Sequence, residues 1–72
     1  MRTARLIAIP SADRIDLECG DGSRPALGDI VELDQGFTFP DGRSGGIVLC
    51  KSPDGQIRWC ADVYDTEIEV IE

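Results

Sequence analysis

Every apolar block of this chain is strand-sized and is closed by Gly, Pro or Asp. ARLIAI (4–9) stops at Pro10, and RIDLEC (14–19) runs into Gly20. DIVEL (29–33) stands alone, IVLC (47–50) and IRWC (57–60) flank KSPDGQ, and EIEVIE (67–72) closes the chain. No segment carries the i, i+3, i+4 apolar stripe of an amphipathic helix. RIDLEC alternates strictly. Ile15, Leu17 and Cys19 face one way and Arg14, Asp16 and Glu18 the other, as in a half-buried antiparallel strand. PSAD (10–13) has turn chemistry, so residues 4–19 are expected to form an N-terminal hairpin. Blocks of this length with Gly/Pro turns predict an all-β domain: a small barrel of five to six mostly antiparallel strands. Closure would remove exposed strand edges.

The 72 residues (1–72) read as one domain. A core of this size buries roughly 60% of the surface exposed by the unfolded chain. That leaves little room for a deep pocket and its supports, which disfavours an enzyme. No secretory h-region or membrane-length apolar run is visible, so membrane insertion is not expected.

Cys50 and Cys60 flank the hairpin LCKSPDGQIRWC (49–60). A three-residue loop, Pro53-Asp54-Gly55, pairs Ser52 with Gln56 and uses Gly55 as its left-handed residue. In that register Cys50 lies opposite Arg58 and Cys60 opposite Val48. The two cysteines then sit diagonally, roughly 7–8 Å apart, too far for a relaxed disulfide. Bringing them face to face would put Pro53 inside the ladder, where it has no N–H to give. The expectation is free, buried thiols in a reducing compartment, hence the cytoplasm. The chain has no histidine and no closely spaced cysteine pair, so no metal, cofactor or catalytic residue is assigned. Asp21-Gly22, Asp41-Gly42 and Asp54-Gly55 read as turns rather than calcium loops, and PDGRSGG (40–46) as a loop rather than a phosphate cradle.

ALGDIVEL, then GGIVLCKSPDGQIRWC, then YDTEIEVIE resembles the order of elements in SH3-like small β-barrels. The resemblance covers residues 26–72 and is nearest to small SH3-like accessory proteins of photosynthetic bacteria, the cyanobacterial group included, and to ribosome-associated and adaptor modules. It implies a short 3₁₀ turn feeding the last strand, with the N-terminal hairpin as an addition. It also implies a role as a peripheral subunit of a larger complex, such as an electron-transfer assembly. The aromatic-rich start of peptide-binding SH3 domains has no counterpart here.

Fourteen acidic side chains against 7 basic ones give a formal charge of −7. That charge opposes binding to a phosphate backbone and favours a protein partner with a basic surface. The longest irregular stretch, DQGFTFPDGRSGG (34–46), sets Phe37 and Phe39 two residues apart. With Trp59 and Tyr64 they are the only aromatic side chains; either two or three of them complete the core, or together they form a shallow partner-binding groove. Asp34, Asp41, Asp62 and Asp65 would rim it and select a basic partner. The chain therefore reads as a non-catalytic binding or accessory protein. The alternatives are a self-associating domain, pairing as a homodimer through the edge of the N-terminal hairpin, and a nucleic-acid-associated barrel relying on clustered arginines.

Overall fold

The computed structural model describes residues 2–16 and 18–71. They form one six-stranded sheet: β1 (Arg2–Leu6), β2 (Ile15–Asp16), β3 (Ile30–Thr38), β4 (Ser44–Lys51), β5 (Ile57–Tyr64) and β6 (Ile68–Val70). The order across the sheet is β2-β5-β4-β3-β1-β6, and every neighbouring pair is antiparallel. Two 3₁₀ turns, Ala12–Arg14 and Asp65–Glu67, lead into the edge strands β2 and β6. No α-helix occurs among the described residues. None of their helical segments is long and apolar enough to cross a membrane. The all-β class and the strand number are as the sequence predicts, and the 3₁₀ turn before the last strand is as the resemblance implies. The ladder itself does not close, because β2 and β6 are not paired with each other.

One face of the sheet makes the core. Period-two alternation sends Ala4 and Leu6 of β1, Val31 of β3, Val48 and Cys50 of β4, and Trp59, Ala61 and Val63 of β5 to the same side. Ile68 of β6 joins them, and Ile15 and Leu33 pack against the cluster. Trp59 is its largest fully buried side chain. The Trp59 indole N–H donates to Asp29 Oδ2 at 3.1 Å. The same oxygen accepts the Ala26 N–H at 3.0 Å, and the Asp29 carbonyl accepts the Leu6 N–H at 2.8 Å. The Gly-Asp entry to β3 therefore anchors both β1 and the core tryptophan.

Both tight hairpins use the tripeptide Pro-Asp-Gly. At residues 53–55 the Ser52 N–H donates to the Gln56 carbonyl at 2.8 Å and Gly55 has φ +89°, the three-residue loop read from the sequence. At residues 40–42 the Phe39 N–H donates to the Arg43 carbonyl at 2.8 Å and Gly42 has φ +90°. The supposed irregular stretch 34–46 is therefore the second half of β3, a tight turn and the start of β4. Its glycines hide the strand pattern, since they add no alternating side chains.

Two strand registers differ from expectation. Lys51 pairs with Ile57 but Cys50 pairs with Trp59, so Arg58 is an extra, bulged residue. The bulge moves Cys60 opposite Leu49 rather than Val48 and puts Cys50 and Cys60 on opposite faces. The Arg58 carbonyl freed there accepts the Asp21 N–H at 3.1 Å. The N-terminal hairpin does not form. Strand β1 is hydrogen-bonded on both sides, to β3 and to β6, which leaves no edge for β2. Strand β2 instead joins β5 at the far end of the sheet. Leu17, expected to continue its apolar face, lies outside the described residues.

A third irregularity places the aromatic surface. Leu33 pairs with Val48 and Gln35 with Ile47, so Asp34 bulges out of β3. The strand changes phase there, and Phe37 pairs with Gly45 on the face opposite the core. Gly46, on the core side of β4, is enclosed. A Cβ there would lie 2.6 Å from the Gln35 carbonyl oxygen and 3.0 Å from Leu33 Cδ1. At Gly36, its cross-strand partner, the nearest atom would be 3.7 Å away. Gly46→Ala should therefore lower the unfolding free energy by about 1–3 kcal/mol. Gly36→Ala should change it by less than about 0.5 kcal/mol. Urea denaturation of both variants measures the difference.

Candidate aromatic and carboxylate surface

On the face opposite the core, Phe37 of β3, Gly45 of β4 and Tyr64 of β5 stand in one cross-strand row. Gly45 leaves a gap there. A Cβ at this position would meet the Val63 carbonyl oxygen and lie 2.5 Å from Phe39 Cε2. The ring of Phe39, at the end of β3, fills that gap. Its centroid lies 4.8 Å from that of Phe37 and 4.3 Å from that of Tyr64, with both pairs tilted. Phe39 is buried, while Phe37 and Tyr64 are half-buried. Trp59 is not part of this cluster. At 1% exposure it sits in the core on the other face, so the expected four-ring groove contracts to three rings. Its position follows from the Arg58 bulge, which turns Trp59 inward beside Cys50.

Two arginines complete the surface. The Arg43 guanidinium carbon lies 3.8 Å from the Tyr64 ring centroid and that of Arg14 lies 4.5 Å from it. Arg43 also donates to Asp41 Oδ2 at 2.9 Å, and the Tyr64 hydroxyl donates to the same oxygen at 3.3 Å. The Arg43 backbone N–H, and then its guanidinium, hold the Asp41 carboxyl below the usual carboxylate range. A shallow hollow of about 160 Å³ opens beside Tyr64, lined by Arg43, Ser44, Asp65 and Thr66. Asp65 is exposed and Asp62 half-buried, two residues before Tyr64 on the same strand. Neither carboxylate is in an ion pair among the described residues. Asp34 is the exposed bulge residue of β3.

Arg14 and Glu67 tie the two sheet edges together. Arg14 ends the 3₁₀ turn before β2, and Glu67 ends the one before β6. Arg14 donates to both Glu67 carboxylate oxygens, at 2.6 and 2.9 Å, and to the Asp62 carbonyl at 3.1 Å. The Glu67 carboxylate also accepts the Tyr64 N–H at 2.8 Å. Its backbone carbonyl takes the N–H groups of Ile7 and Ala8, at 2.9 and 3.3 Å. Both side chains are largely shielded, at 16% and 12% exposure. Sequence alone gives no signal for this contact, because 53 positions separate the partners.

The cysteines divide differently from expectation. Cys19 and Cys60 form a disulfide with a Cα–Cα distance of 6.0 Å, leaving Cys50 as the free thiol among the described residues. Cys19 reaches Cys60 because residues 18–21 continue past β2 along β5. There Gly20 packs on the Arg58 backbone, where a Cβ would lie 2.6 Å from the Arg58 carbonyl carbon. The bond links residues 41 apart, a loop whose closure entropy is about 4 kcal/mol. Burial pushes the Cys50 thiol up, and nearby Asp29 adds to the shift, which disfavours its thiolate.

The Glu67 carboxyl is held below its ordinary value, first by the Arg14 hydrogen bonds, against the opposing effect of burial, and further by the Tyr64 N–H. A depressed carboxylate contributes stability that is fully present above the unfolded value of about 4.3 and is lost as pH falls through the folded value. The stability gap between the native chain and Glu67→Gln should therefore be widest near pH 7 and narrow below about pH 4. Asp13, Asp21, Asp41 and Asp54, also lowered chiefly by local hydrogen bonds that the substitution leaves in place, should contribute alike in both proteins. Paired urea titrations across this range isolate the Glu67 contribution.

Comparison with protein families, with curated proteins and with solved structures returns no match for this chain.

Proposed function

We propose that this chain is a non-catalytic binding module that takes a basic segment of another protein across the Phe37–Phe39–Tyr64 surface. The observation that carries the reading is the pairing of three clustered rings with the unpaired carboxylates of Asp62 and Asp65. Aromatic side chains that keep part of their surface accessible, as Phe37 and Tyr64 do, can anchor interfaces, and a carboxylate rim favours encounter with a cation. Arg43 already seats its guanidinium over Tyr64, so the ring is of a kind that takes a cation. The net charge of −7 supports the same choice of partner and opposes nucleic acid. An SH3-like kinship, service as a peripheral subunit of a larger complex, and a cytoplasmic setting belong to this proposal.

Self-association is the second reading. It draws on β6, a three-residue edge strand on which Val70 is 46% exposed, followed by Ile71 at 43%. The edge it would use is β6 rather than an N-terminal hairpin, since β1 is paired on both sides.

The test titrates a panel of Arg- and Lys-containing peptides against the native chain, Phe37→Ala and Asp65→Asn, at low and moderate salt. The reading expects a salt-sensitive binder that each substitution weakens about tenfold, about 1.4 kcal/mol. A panel without binders, or a binder indifferent to both substitutions, contradicts it. A doubled solution mass would favour the second reading.

A further inference from the structure

At the opposite end of the sheet from β6, three ligand-bearing side chains converge on the edge strand β2. Asp16 and Cys60 are direct partners across the β2–β5 ladder. Cys19 follows Asp16 by three residues and folds back on it, its N–H directed to the Asp16 carbonyl at 3.4 Å. The Glu18 N–H donates to Asp16 Oδ1 at 3.0 Å and fixes that carboxylate. The ligand atoms of Asp16, Cys19 and Cys60 all lie within 4.8 Å of one another. The Asp16-x-x-Cys19 turn has the spacing of the first half of a zinc knuckle, and Cys60 supplies a third ligand from the neighbouring strand. Tetrahedral zinc with sulfur and oxygen ligands needs edges of roughly 3.5–3.8 Å, so the two sulfurs must part once their bond is reduced, while the Asp16 carboxylate closes in from within 4.8 Å.

We propose that the reduced Cys19–Cys60 pair, with Asp16, forms a binding site for a thiophilic divalent metal of the zinc class. The two thiolates select zinc, cobalt or cadmium over magnesium or calcium. Water takes the fourth position, and on its Cys19 side the site borders an open hollow of about 910 Å³ lined also by Glu18, Gly20, Asp21 and Asp54. The acids on that wall make the approach favourable to a cation. Disulfide and metal are mutually exclusive at this site. A dithiol reductant breaks the Cys19–Cys60 bond, gives up two electrons and two protons, and becomes a disulfide itself. The metal then displaces both thiol protons into solvent. Cys50 lies on the core face and takes no part. The site is separate from the ring cluster, so the two proposals stand or fall independently.

The experiment uses the full chain, reduced with a dithiol, freed of reductant without air, and titrated with Zn²⁺ against a chromophoric chelator and with Co²⁺ by absorption. The expected result is stoichiometric Zn²⁺ uptake and a thiolate-to-cobalt charge-transfer band in the reduced chain, with neither in the oxidised chain. Cys50→Ser should leave both unchanged, and Asp16→Asn, an exposed position, should weaken zinc about tenfold or more. Zn²⁺ should also slow alkylation of Cys19 and Cys60 in the unsubstituted chain, a readout independent of any variant's folding. No uptake by the reduced chain, uptake unaffected by Cys60→Ser, or alkylation rates indifferent to Zn²⁺ would overturn the proposal.

Discussion

One shielded ion pair joins the two ends of this sheet. The backbone ladder runs from β2 to β6 without closing. Arg14 and Glu67 stand at the two 3₁₀ turns that introduce those edge strands, and they join across the seam through two hydrogen bonds. Glu67 also takes the Tyr64 N–H and, through its carbonyl, two N–H groups of the segment after β1. A single residue thus holds the start of β2, the end of β5 and the exit of β1. The pair differs in kind from the exposed Arg5–Glu69 contact, at 48% and 57% exposure, which is worth about 0–1 kcal/mol. Hydrogen bonds to charged groups contribute about 1.5–3 kcal/mol each when shielded, offset in part by desolvation.

The seam and the aromatic surface share parts. Arg14 lies over Tyr64 while it holds Glu67, so the ring is fixed by the same contact that fastens the edges. The remaining rings are placed by backbone events. The Asp34 bulge turns Phe37 away from the core, and Gly45 leaves the space that the Phe39 ring occupies. At the other end, the Arg58 bulge turns Trp59 inward and Cys60 outward to meet Cys19. The two bulges therefore decide which side chains face solvent, with the Arg14–Glu67 pair and the gap at Gly45 fixing the rings in place.

Alternation and turn chemistry made the all-β class and the loop at Pro53-Asp54-Gly55 readable in advance, and the SH3-like resemblance implied the 3₁₀ turn found at Asp65–Glu67. The same Pro-Asp-Gly rule applied to residues 40–42 would have turned the supposed long loop into a hairpin, but Gly36, Gly45 and Gly46 blurred the flanking strands. Bulges were not readable. One extra residue at Asp34 or Arg58 flips every later side chain, and no local composition marks it. That is why Trp59 leaves the expected groove and why Cys60 finds Cys19. The partnership of Arg14 with Glu67 was equally hidden, since it depends on β1 taking partners on both sides and sending β2 to the far edge.

The central claim is that the Arg14–Glu67 pair closes the seam, and a double-mutant cycle tests it most directly. Arg14→Met, Glu67→Gln and the double variant would be unfolded in urea at pH 7. Seam closure predicts a coupling energy of about 1.5 kcal/mol or more, the double variant losing much less than the sum of the singles. Additive losses, with coupling within about 0.5 kcal/mol of zero, would show that the edges hold without the pair.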